Sequence, residues 1–249
     1  MPDLNSTTDL TEINRTAWNA SPYEAWVRMY GEPSVVARQI AGDPGRMMRR
    51  FRDHLGDLKG KRICNLQGSH GRLAVALALE GADVTVIDFA SENQRYALDL
   101  ARHAGVGLQY IVSDVMRVVG LDLGGQFDLV LTELGILHYH TDLIRFFGVT
   151  RFLLSETGVV VLNEFHPMER KVFSQPNGDG DYFKSDLVLG DVPYASGNDL
   201  VAQCAYRFWT LGEIVTAAIE AGLTIKRLEE HPDWNVPLRP GTFTLVAAR

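Results

Sequence analysis

From residue 62 to residue 162 the chain alternates short aliphatic runs with helical segments, and this alternation restricts the fold more than any other feature. The runs cover residues 62–67, 83–88, 108–112, 127–131 and 159–162. The last is wholly aliphatic, those at 108–112 and 127–131 carry one polar residue each, and those at 62–67 and 83–88 hold mostly apolar residues between polar ends. That pattern suits strands covered on both faces, and it predicts a parallel sheet with helices above and below. Residues 73–79 read as a buried helix that Gly81 ends in the left-handed conformation. Ser91 is expected to cap a helix reaching about Ala104, with Gly105 beyond it, and residues 143–154 form another. After residue 200, Thr210 and Glu213 make a capping box for a helix ended by Gly222, and strands at 224–228 and 242–248 complete the sheet.

Around this core the organisation changes twice. Residues 1–58 are helical in pattern but interrupted by Pro22, Gly31, Pro33, Gly42, Pro44 and Gly45, and are read as an N-terminal cap preceding a core at 59–249. Residues 167–200 are rich in Gly, Asp, Asn and Pro and read as an insertion into that core that belongs to the same cap. With 46% apolar and 22% charged residues, 249 residues can bury a substantial core. A formal net charge of −7 with only short basic pairs argues against a nucleic-acid substrate, because phosphate neutralisation requires clustered Lys and Arg. The polar, partly acidic start lacks the features of a signal peptide, and no run is long enough to span a bilayer. Cys64 and Cys204 lie in apolar stretches and read as reduced core thiols. These features predict a soluble, cytoplasmic protein without membrane partners.

The chemistry concentrates in Asn65-Leu66-Gln67-Gly68-Ser69-His70-Gly71, between a strand and a helix. A glycine-rich turn there lets backbone N–H groups and a helix N-terminus approach a polar or anionic ligand. Asp88 ends the next strand 17 residues after Gly71, near the spacing at which an acid reaches ribose hydroxyls. Two cofactor classes share this geometry. A dinucleotide site requires G-x-G-x-x-G, and the segment has Gln67 in place of a first glycine and no third glycine at the right spacing, which weakens the pyrophosphate reading.

Taken together, residues 60–165 resemble the core of the class I S-adenosylmethionine-dependent methyltransferases, and the last 40 residues resemble it more loosely. The family's acid-x-G-x-G-x-G aligns with residues 65–71, its second-strand acid with Asp88 followed by Phe89, and its acid after the third strand with Asp114 in Val112-Ser113-Asp114-Val115. Residues 127–131, then Gly135-Ile136-Leu137-His138-Tyr139, are similar to its fourth strand and the helix leading from it, and residues 158–164 to its fifth strand. The resemblance implies a seven-stranded, mostly parallel Rossmann-like sheet with an antiparallel last strand, helices on both faces and an N-terminal helical cap. It implies S-adenosylmethionine as cofactor, S-adenosylhomocysteine as product, and methyl transfer to an N, O or C atom of a small molecule. The implied cofactor contacts are Asn65, Gln67, Gly68, Ser69, Gly71, Asp88, Phe89, Ser113, Asp114, Val115, Glu133 and Tyr23. Asn65 and Gln67 depart from the family's acid and glycine, although both side chains offer amide oxygens as acceptors.

Two alternatives stay open beside this one: a non-catalytic module that binds the cofactor or its product, and an NAD(P)-dependent oxidoreductase. His138 and His166 follow the fourth and fifth strands and are the candidate bases. His138, His140 and His166 with Glu133 or Glu164 could form a metal site, but they lack a helical His-x-x-x-His pattern, and no metal is expected. The aromatics Trp18, Trp26 and Tyr30, with Tyr23, read either as a helix face packed on the core or as a lid over a sulfonium, whose charge aromatic faces attract. On the lid reading Trp18, Trp26, Tyr30, Tyr139 and Glu164 contact the substrate. A homodimer is compatible with the sequence.

Overall fold

A computed structural model describes residues 7–20, 22–173, 180–193 and 203–249. Helices α1 (Thr7–Trp18), α2 (Pro22–Tyr30) and α3 (Pro33–Gly42) lead into 3₁₀ turns at Pro44–Met48 and Arg52–His54. The prolines that break this section's pattern start elements: Pro22, Pro33 and Pro44 stand at first-turn positions, where no N–H is needed.

The core then runs β1 (Arg62–Leu66), α4 (Arg72–Leu79), β2 (Asp83–Asp88), α5 (Ser91–Ala104), β3 (Gln109–Val112), β4 (Phe127–Glu133), α6 (Leu143–Leu153) and β5 (Leu154–Phe165). It continues with β6 (Leu187–Asp191), β7 (Gln203–Arg207), α7 (Leu211–Glu220), β8 (Thr224–Pro232) and β9 (Pro240–Ala248). The seven-stranded sheet has the order β3-β2-β1-β4-β5-β9-β8, with β9 antiparallel to both neighbours and the other pairs parallel. The order reverses between β1 and β4, the place where such sheets open a crevice beyond the strand carboxyl ends.

Continuous aliphatic strands serve two cores at once. Leu129, Leu131 and Val161 face one buried cluster, with α4, α5 and the N-terminal helices. Val130, Val160 and Leu162 face the other, with α6 and α7. Ala17, Ala25, Trp26, Val36, Ile40, Met48 and Phe51 belong to the first cluster, so residues 7–58 share the core's apolar interior. The β6–β7 hairpin joins the same side through Val192, Cys204 and Tyr206. Asn14 of α1 fastens it: its side chain donates to Ala205 O (3.2 Å) and accepts from Ala205 N (2.7 Å). Residues 174–179 and 194–202 of this region, including much of the expected insertion, lie outside the described residues.

Three local expectations differ from what forms. Ala90, not Ser91, is the N-cap of α5, and Ser91 N and Oγ both donate to Asn19 Oδ1 at the end of α1. The N–H of Ala90 goes instead to Asp88 Oδ1 (2.9 Å). Strands β5 and β8 extend beyond the aliphatic runs, because antiparallel pairing with β9 holds polar residues such as Asn163 and Glu230 in register. Cys64 and Cys204 are buried and free, and burial pushes the Cys204 thiol up to about 12. No helix among the described residues is long and apolar enough to cross a membrane.

Candidate active site

The turn after β1 alternates in backbone handedness. Gln67 (φ 53°), Ser69 (φ 46°) and Gly71 (φ 72°) are left-handed. These are the three positions at which the G-x-G-x-G pattern places glycine. A non-glycine residue in that region costs about 1–2 kcal/mol, so the turn holds strain at two sites, Gln67 and Ser69, on either side of Gly68. Gly68 is required for another reason: a β-carbon there would lie 2.5 Å from Asn65 Oδ1 and 2.9 Å from Val86 Cγ1. At Gly71 a β-carbon would lie 2.5 Å from Ala97 Cβ, where α5 packs against the turn.

Ser69 uses only its backbone in these contacts, donating N–H to Asp88 Oδ2 (3.1 Å) and accepting from Tyr110 Oη (2.9 Å). Ser69→Gly is therefore expected to stabilise the protein by about 0.5–1 kcal/mol, the relief of strain less glycine's greater unfolded-state entropy. Denaturant titration of the variant checks this, and a loss of stability would show that the serine hydroxyl contributes.

Polar groups converge beneath the turn. Asn65 is buried; its Nδ2 donates to Leu131 O, while Oδ1 has no hydrogen-bond partner among the described residues. Gln67 Oε1 accepts from His140 Nε2 at 2.6 Å, and burial lowers His140 to about 3. Asp88 is 5% exposed and accepts from Ser69 N, Ala90 N and Asn93 Nδ2. Burial nevertheless prevails over these bonds and raises Asp88 to about 6. Glu133, at the carboxyl end of β4, makes no hydrogen bond among the described residues, and burial raises it to about 7, partly opposed by Arg72. Two carboxylates flanking β1 are thus held where their charge is disfavoured, a pattern that clusters at functional sites.

The N-terminal aromatics reach this turn. Trp26 and Tyr30 stack on each other and both meet His70 in T-shaped contacts, at 4.9 and 5.0 Å between centroids. Arg72 lies over the Tyr30 ring at 4.1 Å, its buried Nε without a hydrogen-bond partner among the described residues. Trp26 Nε1 donates to Asn93 Oδ1 (2.8 Å), and Asn93 in turn donates to Asp88, which links α2 to the second-strand acid. Trp18 packs against Trp26 and Tyr139. Tyr23 points elsewhere: its hydroxyl donates to Asp99 on α5 and Arg95 covers its ring. At the end of β3, Ser113 N donates to Asp88 O, Asp114 caps a 3₁₀ turn by accepting from Met116 N, and Val115 is buried. Phe89 lies partly buried beside Asp88.

The expected substrate side divides. Both oxygens of Glu164 are taken by four backbone N–H groups, from Gly135, Ile136, Leu137 and Phe165, so this carboxylate organises the loop after β4. His166 uses both ring nitrogens, donating from Nε2 to Glu230 and accepting at Nδ1 from Met168 N. His138 makes no hydrogen bond among the described residues and sits among the rings of Tyr139, Tyr206 and Phe208. Burial, then Arg170, then His140 hold it well below the ordinary histidine range. Among the described residues no group of three or more His, Cys, Asp or Glu could hold a metal ion. Sequence reasoning missed Arg72, Asn93 and Arg170. Asn93 is the most traceable of these, since position three of the helix following an acidic strand end faces back to that acid.

Residues 66–162 match a family described as "Methyltransferase domain". No curated protein matches the sequence. Among solved structures the fold is shared with an S-adenosylmethionine-dependent methyltransferase from Mesorhizobium loti, 24% identical with a TM-score of 0.59, covering 81% of this chain and 96% of the other. It is also shared with magnesium protoporphyrin IX methyltransferase from Synechocystis with bound S-adenosylhomocysteine (18%, TM-score 0.61, 94% and 97% covered). A third is 1,6-didemethyltoxoflavin-N1-methyltransferase from Burkholderia thailandensis, with 1,6-didemethyltoxoflavin and S-adenosylhomocysteine bound (17%, TM-score 0.62, 98% and 91%). Residues 66–162 are thus similar to a methyltransferase domain, and they stand within the seven-stranded Rossmann-like fold that these solved structures share, with the strained turn at its switch point.

Proposed function

We propose that this protein methylates a small-molecule acceptor from S-adenosylmethionine bound over the β1 turn, with residues 7–58 and the β6–β7 hairpin as a cap. One observation carries this reading: the strained turn, the unpartnered buried Asn65 Oδ1 and the two pKa-raised carboxyls converge at the ends of β1, β2 and β4. These groups fit the cofactor's chemistry. Asn65 Oδ1 and Glu133 are acceptors for an ammonium group, Asp88 for ribose hydroxyls, and Asp114 for an adenine amino group, with Val115 and Phe89 as apolar cover. Gln67, Gly68, Ser69 and Gly71 bring backbone close to the ligand.

When bound, the cofactor supplies a methyl group on a positively charged sulfur, which becomes a neutral thioether as the methyl carbon bonds to the acceptor. The chain's own task is alignment and exclusion of water. Trp18, Trp26, Tyr30 and Tyr139 offer aromatic faces to the positive charge. His138, neutral and without a hydrogen-bond partner among the described residues, takes the acceptor's proton where it has one. Glu164 acts indirectly, by holding the loop that carries His138. A small acceptor is supported by the acidic net charge and by fold neighbours that bind or are named for small molecules.

Calorimetric titration with S-adenosylhomocysteine and with NADPH, followed by labelled-methyl transfer into fractionated cell extract, tests the reading. Binding of the first nucleotide alone, with label entering the small-molecule fraction, is the expected result. Binding without transfer into any fraction would leave a cofactor-binding module instead of an enzyme, and label in the nucleic-acid or protein fraction would overturn the small-molecule acceptor.

A further inference from the structure

Among the described residues Arg170 is a cation without an anion. It lies on the one-turn π-helix Glu169–Phe173 after β5, with its guanidinium 3.9 Å over the ring of Phe165. Its Nε is buried and makes no hydrogen bond, and no carboxylate among the described residues pairs with it. The acids that could have done so are engaged elsewhere. Glu164, lining the same small cavity of about 30 Å³, gives both oxygens to backbone N–H groups. Glu169 stands 3.4 Å from Arg239. A buried guanidinium donor left unpaired costs stability, and such a cost is retained where a ligand completes the pair.

The surroundings restrict the kind of ligand. His138, Phe208 and Trp209 line the cavity with Arg170, and Tyr206 stacks with Phe208 at 6.2 Å between ring centroids. The walls are therefore largely aromatic, and of the polar side chains lining the space Glu164 is already met by four backbone N–H groups, which leaves the Arg170 cation and the neutral His138 imidazole for a ligand. A single guanidinium balances a single negative charge and presents a planar fork that matches a carboxylate. A phosphate dianion would leave one charge uncompensated against aromatic rings. The cavity as it stands has room for about one water, so binding an acceptor requires it to widen.

We propose that the methyl acceptor is an aromatic carboxylate, its acid group received by Arg170 and its ring placed against Phe208 and Trp209, beside His138. This rests on the methyltransferase reading and narrows it to a substrate class. Arg170 is then a specificity-determining residue, set two strands away from the proposed cofactor turn.

Matched probes test it: benzoate, the neutral benzamide and phenyl phosphate, titrated by ligand-observed NMR into the protein with and without S-adenosylhomocysteine. The expected result is benzoate binding about 10-fold tighter than benzamide and tighter than phenyl phosphate. The acid-to-amide ratio falls to near one in Arg170→Gln and stays above one in Arg170→Lys. S-adenosylhomocysteine affinity is unchanged in both variants. A ratio of one in the wild-type protein overturns the proposal even if neither variant folds, and so does a ratio that survives Arg170→Gln. Tighter phenyl phosphate overturns the carboxylate assignment. Loss of S-adenosylhomocysteine binding by the wild-type protein would instead strike the methyltransferase reading, and the probe ratio is still read from the protein alone.

Discussion

His138→Ala is expected to lower methyl-transfer turnover about 100-fold, the lower end for losing a positioned proton acceptor, while S-adenosylhomocysteine affinity stays within about twofold. The two histidines singled out from sequence occupy equivalent places, one after β4 and one after β5, yet their surroundings assign them opposite tasks. Both ring nitrogens of His166 are consumed within the fold, by Glu230 and by Met168 N. Its replacement by alanine removes the acceptor of the part-buried Met168 N–H and the donor to Glu230, and costs about 1–3 kcal/mol of stability, without a specific effect on the chemical step. His138 has no such duty, and its ring lies 4.4 Å from Tyr139 and 5.0 Å from Tyr206 between centroids. Burial keeps its imidazole neutral at neutral pH. A carboxylate acceptor beside it would raise its basicity again by adding negative charge. Single-turnover rates and denaturation midpoints of the two variants separate the roles. Equal turnover losses with equal loss of stability would remove the proton-acceptor role from His138.

Elements with a strong repeating pattern were legible in the sequence, and those fixed by distant pairing were not. The β1 turn, Asp88 at the end of β2, and the Thr210–Glu213 capping box all form from residues close in sequence, and each takes its expected place. Ser91 misled because the Ala90 N–H had a better acceptor in Asp88, while its own hydroxyl found Asn19, 72 residues earlier. The β6–β7 hairpin gave little signal, since its strands span five residues each and are held by Asn14 at the opposite end of the chain.

The site shows the same division. Which residues stand near the sheet's carboxyl edge follows from topology, whereas which of them are free depends on long-range hydrogen bonds. Glu164 and Tyr23 illustrate the difference. Their positions suggest ligand contacts, but the first is engaged by backbone N–H groups and the second by Asp99. Arg170 is the converse, an arginine in a stretch without any motif, whose significance lies in meeting no anion among the described residues. The left-handed Gln67 and Ser69 also show that the turn's shape outlasts its glycines, with Gln67 gaining a hydrogen bond from His140 in partial return for strain.

Glu133→Gln is expected to stabilise the ligand-free protein by about 2–3 kcal/mol at pH 8 while weakening S-adenosylmethionine binding. Burial raises this carboxyl from 4.5 to about 7, and Arg72 offsets only part of that. One pKa unit corresponds to about 1.4 kcal/mol, so the raised value is equivalent to about 3 kcal/mol, reduced somewhat by the side chain's residual exposure. Proton counting gives the sign. Below pH 4.5 Glu133 is protonated in both the folded and unfolded states, and the glutamine gains nothing. Between 4.5 and 7 the folded state holds a proton that the unfolded state has released, so wild-type stability falls as pH rises and the variant's advantage grows. Above 7 both states are ionised and the advantage is constant. His70, His138 and His140 contribute the opposite slope, because burial lowers them and the unfolded state takes up protons first as pH falls below about 6.5. The raw stability curve therefore mixes both signs, whereas the wild-type–variant difference isolates Glu133, as the histidines are common to both proteins. Denaturant titrations from about pH 4.5 to about pH 8.5 measure that difference. A curve that rises to a plateau near pH 7, together with weaker cofactor binding, identifies a charge held at a cost to stability until a ligand cation meets it. A flat difference would falsify the buried-charge account and leave Glu133 as a solvated residue at the end of β4.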